Sequence, residues 1–177
     1  VDYRPLQGIW GSAFVGLENF KAFFATNNWI TVTGNTLFLN VLFIAATTIT
    51  SVAIAIMLAE ISNKWVKKIT QSIVILPHFM SWTIVSMLSV AILSANGVVN
   101  QLITMVGGKT IEFYNTPSVW PVILVILKVW QGAGFGSIVY LATITGIDAS
   151  IYEAAAVDGA SKTQCIFKVT LPMLKNT

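Results

Sequence analysis

Charge is the scarcest commodity in this sequence. Of 177 residues only 10% are Asp, Glu, Lys or Arg, while 55% are hydrophobic and the mean hydropathy is +0.78. A soluble domain carries about 25% charged residues, so a surface that faces water everywhere is excluded. Cysteine is nearly absent. The single Cys165 rules out an intramolecular disulfide and a cysteine zinc site, and with them disulfide-stapled modules and zinc fingers. The one histidine, His78, lies far from Cys165, which leaves no expected metal site or nucleophile pair. The basic excess is +3 with an isoelectric point near 9.1, and it is scattered. Without a Lys/Arg-rich run, nucleic acid is not an expected partner. No GxxxxGK[ST], HExxH or GxSxG pattern occurs. Gly132-Ala133-Gly134-Phe135-Gly136 is glycine-rich, but no strand precedes it and it sits in an apolar run, so it is not read as a nucleotide loop. The chain opens at Val1 with no signal-peptide pattern. It is read as residues 1–177 of one transmembrane domain, a piece of a longer protein.

What is present is three long uncharged windows. Thr36–Ala59 holds no charged residue, Ile69–Ala95 holds none, and Ser118–Ile147 holds only Lys128. A helix needs about 20 apolar residues to cross about 30 Å of hydrocarbon. The expectation is therefore an all-α membrane protein with three transmembrane helices at about 36–60, 70–95 and 118–147. Lys64, Lys67 and Lys68 follow the first window, and Lys162, Lys168 and Lys175 follow the third. Arg4, Lys21 and Lys109 fall on the other side. This bias predicts that the connector after the first span and the segment after the third are cytoplasmic. Residues 1–34 then lie outside, where Phe14, Leu17, Phe20 and Phe24 predict a short interfacial helix over 14–25. Gly97, Gly107, Gly108 and Pro117 break the outer connector 96–117 around a surface stretch, VVNQLITMV.

The segment 148–172, DASIYEAAAVDGASKTQCIFKVTLP, reads as two short helices joined by a tight turn. Ser150 with Glu153 fits a capping box, and Ser161 with Gln164 fits a second. Ala154, Ala155 and Ala156 propagate helix. Asp158-Gly159 stops it, because glycine accepts the positive φ of a helix end. Pro172 limits or kinks the second helix. Two uses of such a segment stay open on physical grounds: an amphipathic connector lying on the membrane, or a small-faced knob that docks into another protein. The alanine row offers a bilayer little apolar area but permits close approach by a partner.

The order Glu153-Ala154-Ala155, two residues, Asp158-Gly159-Ala160, eight residues, then Val169-Thr170-Leu171-Pro172 resembles the EAA loop of binding-protein-dependent ABC importer permeases. The departure from the usual pattern is Val169 in place of isoleucine. VGLENF at 15–20, ILPHFMSW at 75–82 and WQGAGFGSIVYLATITGI at 130–147 resemble the sugar-permease branch of that family, and ILPHFMSW the group importing complex or oligomeric saccharides. The resemblance implies a permease of roughly six spans, of which this chain holds three, with a cytoplasmic two-helix coupling loop. It implies that the loop residues Glu153, Ala154, Ala155, Asp158, Gly159, Ala160, Leu171 and Pro172 seat in a cleft on a separate cytoplasmic ATPase. Hydrolysis is then not this chain's work, and it binds no cofactor. ATP and magnesium belong to the partner.

Lys128 is the only formal charge inside a window, where lysine costs roughly 2.5–3.5 kcal/mol at a helix centre. At helical spacing it shares a face with Gln131, Gly132, Phe135 and Gly136. Gly132 and Gly136 form a GxxxG pair that admits a neighbouring helix. In the second window His78, Ser81 and Trp82 follow Pro77, which would bend the helix and free a carbonyl. Lys128, Trp130, Gln131, His78, Ser81 and Trp82 are the candidate solute-path residues. Packing roles compete: a bridged lysine, a buried histidine donor, an interfacial tryptophan. Thr47, Thr48, Thr50 and Ser51 are expected to bond back to their own helix, and Asn40 across helices.

Taken together, the expected protein is the permease subunit of an ATP-driven importer of a carbohydrate, an oligosaccharide foremost. Its expected partners are cytoplasmic ABC ATPase subunits, a second permease subunit, an extracellular solute-binding protein and membrane lipid. Its expected location is the cytoplasmic membrane of a bacterium or archaeon, crossed several times. Alternatives are a permease for a non-sugar solute, a membrane scaffold that docks an ATPase, and an intramembrane enzyme, for which paired catalytic groups are missing.

Overall fold

A computed structural model describes residues 5–6, 8–26 and 28–174. Arg4 and Lys175, which entered the charge count above, lie outside the described residues. The described residues form helices and turns, with no strand among them. The chain divides into two compact units, Val1–Val41 and Leu42–Thr177.

The first unit holds α1 (Gly8–Gly11) and α2 (Glu18–Ala25). The helix expected from residue 14 starts only at Glu18, because Gly16 takes φ +54° and turns the chain just before it. Phe14, Leu17, Phe20 and Phe24 are all exposed. Phe24 meets Phe23 and Trp29 edge-on at centroid distances of 5.3 and 5.5 Å.

Helix α3 (Asn28–Glu60) runs 33 residues, about 50 Å at 1.5 Å per residue. It begins before the expected residue 36, since no proline interrupts it and Gly34 meets no obstacle. Asn63 then caps α4 (Lys64–Ile75), accepting from the amides of Trp65 (2.9 Å) and Val66 (3.3 Å). At twelve residues α4 spans about 18 Å, too short to cross a bilayer alone.

The stretch expected as one helix over 70–95 is broken. A 3₁₀ turn (Leu76–Phe79) follows α4, and a new helix, α5 (Trp82–Leu93), starts after Ser81. Pro77 supplies no amide and crowds the preceding turn. Ser81 Oγ then accepts from the Ile84 amide at 3.3 Å and caps the new helix. After α5 come α6 (Val98–Met105) and α7 (Trp120–Thr145), the latter led in by a 3₁₀ turn (Pro117–Val119). Among the described residues, three stretches are long and apolar enough to cross a membrane: Asn28–Glu60, Trp82–Met105 and Pro117–Thr145.

Asn100 organises the 96–117 connector. Its side chain, 1% exposed, donates to the carbonyls of Ser94 (3.0 Å) and Ile111 (2.9 Å) and accepts from the Ile111 amide (2.8 Å). This one amide group pins the loop to the end of α5.

Helix α7 is the axle of the second unit. Ser51 of α3, 1% exposed, donates across the interface to the Ala133 carbonyl at 3.0 Å. The expectation that it bonds within its own helix is corrected here: Gly132 and Gly136 carry no side chain, so α3 comes close enough to reach the α7 backbone. Asn40, by contrast, bonds within α3, to the Thr36 carbonyl at 2.7 Å. Among the described residues, the Thr47 hydroxyl is buried without a hydrogen-bond partner. On another face of α7, a Cβ at Gly134 would run into the Val74 carbonyl of α4.

Candidate functional site

Two features stand on α7, one near its middle and one at its end. The first is a cavity of about 440 Å³ lined by His78, Met80, Ser81 and Trp82 from the helix break, with Lys128, Gln131, Gly132, Phe135 and Gly136 from α7. Three contacts fasten the break to α7. Gln131, 8% exposed, donates through Nε2 to the Met80 carbonyl at 2.9 Å. The His78 ring stacks on Phe135 at 4.1 Å, 6° from parallel. Lys128 Nζ sits over the Trp82 ring, 5.6 Å from its centroid, within cation–π range.

The chemistry of the break follows from its surroundings. Non-helical backbone at membrane depth is tolerated where protein buries it or a water-filled cavity receives it. Here Gln131 satisfies one freed carbonyl and the rest of the turn faces a concave space of ligand-pocket size. Of the six candidate solute-path residues, His78, Ser81, Trp82, Lys128 and Gln131 line this one cavity. Trp130 does not. It faces an apolar groove of about 310 Å³ with Val85, Leu88, Ile92 and Leu127, because it is adjacent in sequence to Gln131 and so about 100° around the helix. Met80, whose main chain receives Gln131, and Phe135, which carries the histidine stack, line the same cavity beyond the six candidates. Spacing on α7 had already put Phe135 on the right face; the Met80 contact had no signal in the sequence, since it is made by backbone.

The second feature is the elbow at residues 148–174. Helix α8 (Ala149–Val157) is capped by Asp148, whose Oδ1 accepts from the Ser150 amide at 2.9 Å. The cap expected at Ser150 is corrected to Asp148, two residues earlier: Asp148 has non-helical φ −59°, ψ 126°, and Ser150 is already in the first turn. The hydrogen bond from the Ser150 amide, and then its side chain, holds the Asp148 carboxyl below the ordinary value of 3.8. Helix α8 ends in a double closure, Gly159 amide to Ala156 carbonyl (3.0 Å) and Ala160 amide to Ala155 carbonyl (2.9 Å), with Gly159 at φ +75°. The capping box expected at Ser161 and Gln164 is present and starts α9 (Lys162–Cys165).

From there a π-helical turn (Ile166–Thr170) leads into α10 (Leu171–Leu174). The wide turn lies just ahead of Pro172, where an ordinary helix would lack a donor and clash. Thr170 closes it, with its hydroxyl 3.4 Å from the Cys165 carbonyl and 3.0 Å from Tyr152 Oη of α8. The elbow is thus one tied piece. Its C-terminal end is built into the helices: Leu174 packs with Ala55 and Leu58 of α3 and Leu141 and Ile144 of α7, with Leu171 beside them. Lys162 also reaches Glu60 of α3 at 3.4 Å, across a cleft of about 450 Å³.

Of the coupling-loop candidates, Glu153, Ala154, Asp158 and Gly159 are exposed on the elbow, Ala155 and Ala160 are half-buried, Leu171 packs inward and Pro172 lies at the surface. Val157, 89% exposed, stands at the tip. Among the described residues no group of three or more His, Cys, Asp or Glu is placed to hold a metal.

Residues 51–177 match the family described as "Binding-protein-dependent transport system inner membrane component". Over 99% of its length the chain is 36% identical to the polygalacturonan/rhamnogalacturonan transport system permease protein YteP of Bacillus subtilis (strain 168), of which it covers 55%. It is 32% identical to Protein LplB of the same organism, again over 99% of this chain and 56% of that one. It therefore spans about half the length of these relatives. Its fold is similar to that in the crystal structure of a bacterial ABC transporter involved in the import of the acidic polysaccharide alginate, at TM-score 0.85 and 36% identity, covering 96% of this chain and 59% of that one.

Proposed function

Since the chain belongs to the family of binding-protein-dependent transport system inner membrane components, we propose that it is the permease subunit of an ATP-driven importer that moves a carbohydrate, an oligosaccharide foremost, into the cell. The protein sits in the cytoplasmic membrane of a bacterium or archaeon and crosses it several times, with the elbow inside. An outer solute-binding protein delivers the solute to a path shared with a second permease subunit. Cytoplasmic ATPase subunits bind the elbow and hold the ATP and magnesium, so this chain hydrolyses nothing and carries no cofactor.

The observation that carries this reading is the mechanical continuity of α7. The helix ends in the core that grips Leu174 of the elbow, and its middle forms one wall of the polar cavity. From Lys128 to Thr145 is about 25 Å along one helix axis. A displacement of the elbow therefore moves the cavity wall without an intervening hinge. Glu153 and Asp158 supply polar anchoring on the docking face, and Gly159 supplies the bend. Carbohydrate relatives support the solute class, as do Trp82 and the polar groups beside it, since sugars offer both C–H faces and hydroxyls.

The test is ATPase activity of the full-length permease reconstituted with its ATPase and binding protein, assayed against a panel of sugars. Stimulation by one oligosaccharide class is the expected result. Stimulation by a peptide, polyamine or inorganic anion, and by no sugar, overturns the carbohydrate reading.

A further inference from the structure

Lys128 is left without a counter-charge. Among the described residues its Nζ makes no ion pair and no hydrogen bond. None of the residues lining its cavity is a carboxylate, and none of the three uncharged windows brings one into the spans. Its ammonium rests on the Trp82 ring, a contact that uses the charge but none of its three N–H donors. Nor can it escape to water along the helix axis, because it sits about 12 Å from Trp120 at the near end of α7. A cation in that setting is normally paired or lines a permeant's path.

The cavity around it is built for an anion attached to a polar, partly apolar body. Gln131 is oriented by Met80, Ser81 brings a hydroxyl to the lining, and the stacked His78 and Phe135 bring ring surface. We propose that Lys128 is a specificity residue that reads an acidic group, a sugar carboxylate, on the saccharide in transit. The inference rests on the carbohydrate reading above and narrows it to acidic saccharides. Lysine fits the task better than arginine would: a point charge with rotating donors holds a passing carboxylate without the bidentate grip that would trap it.

The test measures equilibrium binding of trisaccharides to the full-length permease–ATPase complex without the solute-binding protein, whose own selectivity then plays no part. The probes are trimers of galacturonate, glucuronate and mannuronate, each beside its carboxyl-reduced neutral counterpart. In the unmodified complex at least one acidic trimer should bind about tenfold tighter than its neutral partner, the order expected of one charge-assisted contact. Lys128→Met, which a bilayer accepts more readily than lysine, should bring the two affinities together, with the acidic trimer losing about tenfold more than its neutral partner. Lys128→Arg should keep the acidic preference. Equal affinities in the unmodified complex, or a preference that survives Lys128→Met, overturn the inference while the carbohydrate reading stands. Parallel loss of acidic and neutral binding in Lys128→Met also overturns it, since that is the result for a lysine paired structurally with another helix. Binding of neither kind by the unmodified complex overturns the inference, while the carbohydrate reading is decided separately by the sugar-stimulated ATPase panel.

Discussion

Gln131 Nε2 donates to the Met80 carbonyl at 2.9 Å, and through that bond α7 holds open the break between α4 and α5. Gln131 is buried, so truncation strands the carbonyl in a setting with little water. Gln131→Ala should destabilise the full-length protein by about 1–3 kcal/mol, read as a lower Tm in detergent. Ser81→Ala removes only an exposed helix cap and should cost about 1 kcal/mol. A Tm unchanged by Gln131→Ala would mean that the break is held by other contacts.

The glycines of α7 are not equivalent. A Cβ at Gly132 would meet nothing nearer than the Thr47 methyl at 3.7 Å, whereas one at Gly134 would strike the Val74 carbonyl of α4. Gly132→Ala should be nearly silent. Gly134→Ala should push α4 away and cost about 1–3 kcal/mol as overpacking. Thermal unfolding of the two variants side by side checks the order.

Helix α8 begins on Asp148, whose carboxyl is held low by the Ser150 amide. A lowered acid contributes its stability above its unfolded value of about 3.8 and loses it as pH falls through the still lower folded value. The cap should therefore be constant across any neutral assay range and fail only in strong acid. Asp148→Asn should retain it and Asp148→Ala should lose it, measured as faster amide exchange in the first turn of α8.

The pair Lys162–Glu60 looks like a latch between elbow and α3, yet both side chains are largely exposed. Exposed pairs contribute at most about 1 kcal/mol. Lys162→Ala should leave Tm within that margin, because Leu171 and Leu174 do the anchoring. Leu174→Ala, which opens a cavity in that core, should cost about 2–5 kcal/mol.

Much of this architecture is legible in the residue order, and what is hidden has a physical cause. Charge-free windows announce the long helices because a bilayer excludes charge irrespective of tertiary detail. The Asp158-Gly159 turn and the Ser161–Gln164 box are equally local, set by φ and by side chains three residues apart. The break at Pro77 was visible as a bend but not as two separate helices, since the Gln131 bond that supports it comes from 51 positions away. The hydroxyls of α3 show the same limit. Thr47 and Ser51 are alike in sequence terms, and only the approach of the α7 backbone decides that Ser51 bonds across while Thr47 has no partner. Trp130 and Gln131 are both solute-path candidates by sequence, but one step along a helix turns them to different cavities.

Gly159 holds φ +75° with open space around it, so the constraint there is backbone, not packing. Alanine in that conformation costs about 1–2 kcal/mol, and proline cannot adopt it. Gly159→Pro should insert in the membrane normally, as judged by its level in the membrane fraction, while sugar-stimulated ATPase falls to the unstimulated rate. Gly159→Ala should be intermediate.

The most direct measurement is cross-linking from the tip of the elbow. In a Cys165→Ala background of the full-length permease, Val157→Cys, at the exposed end of α8, should form a cross-link to the ATPase subunit in membranes. Val106→Cys, equally exposed on the 96–117 connector, should not. A Val157 position that reacts only from the outside of the cell, or that never links to the ATPase, would contradict the importer assignment.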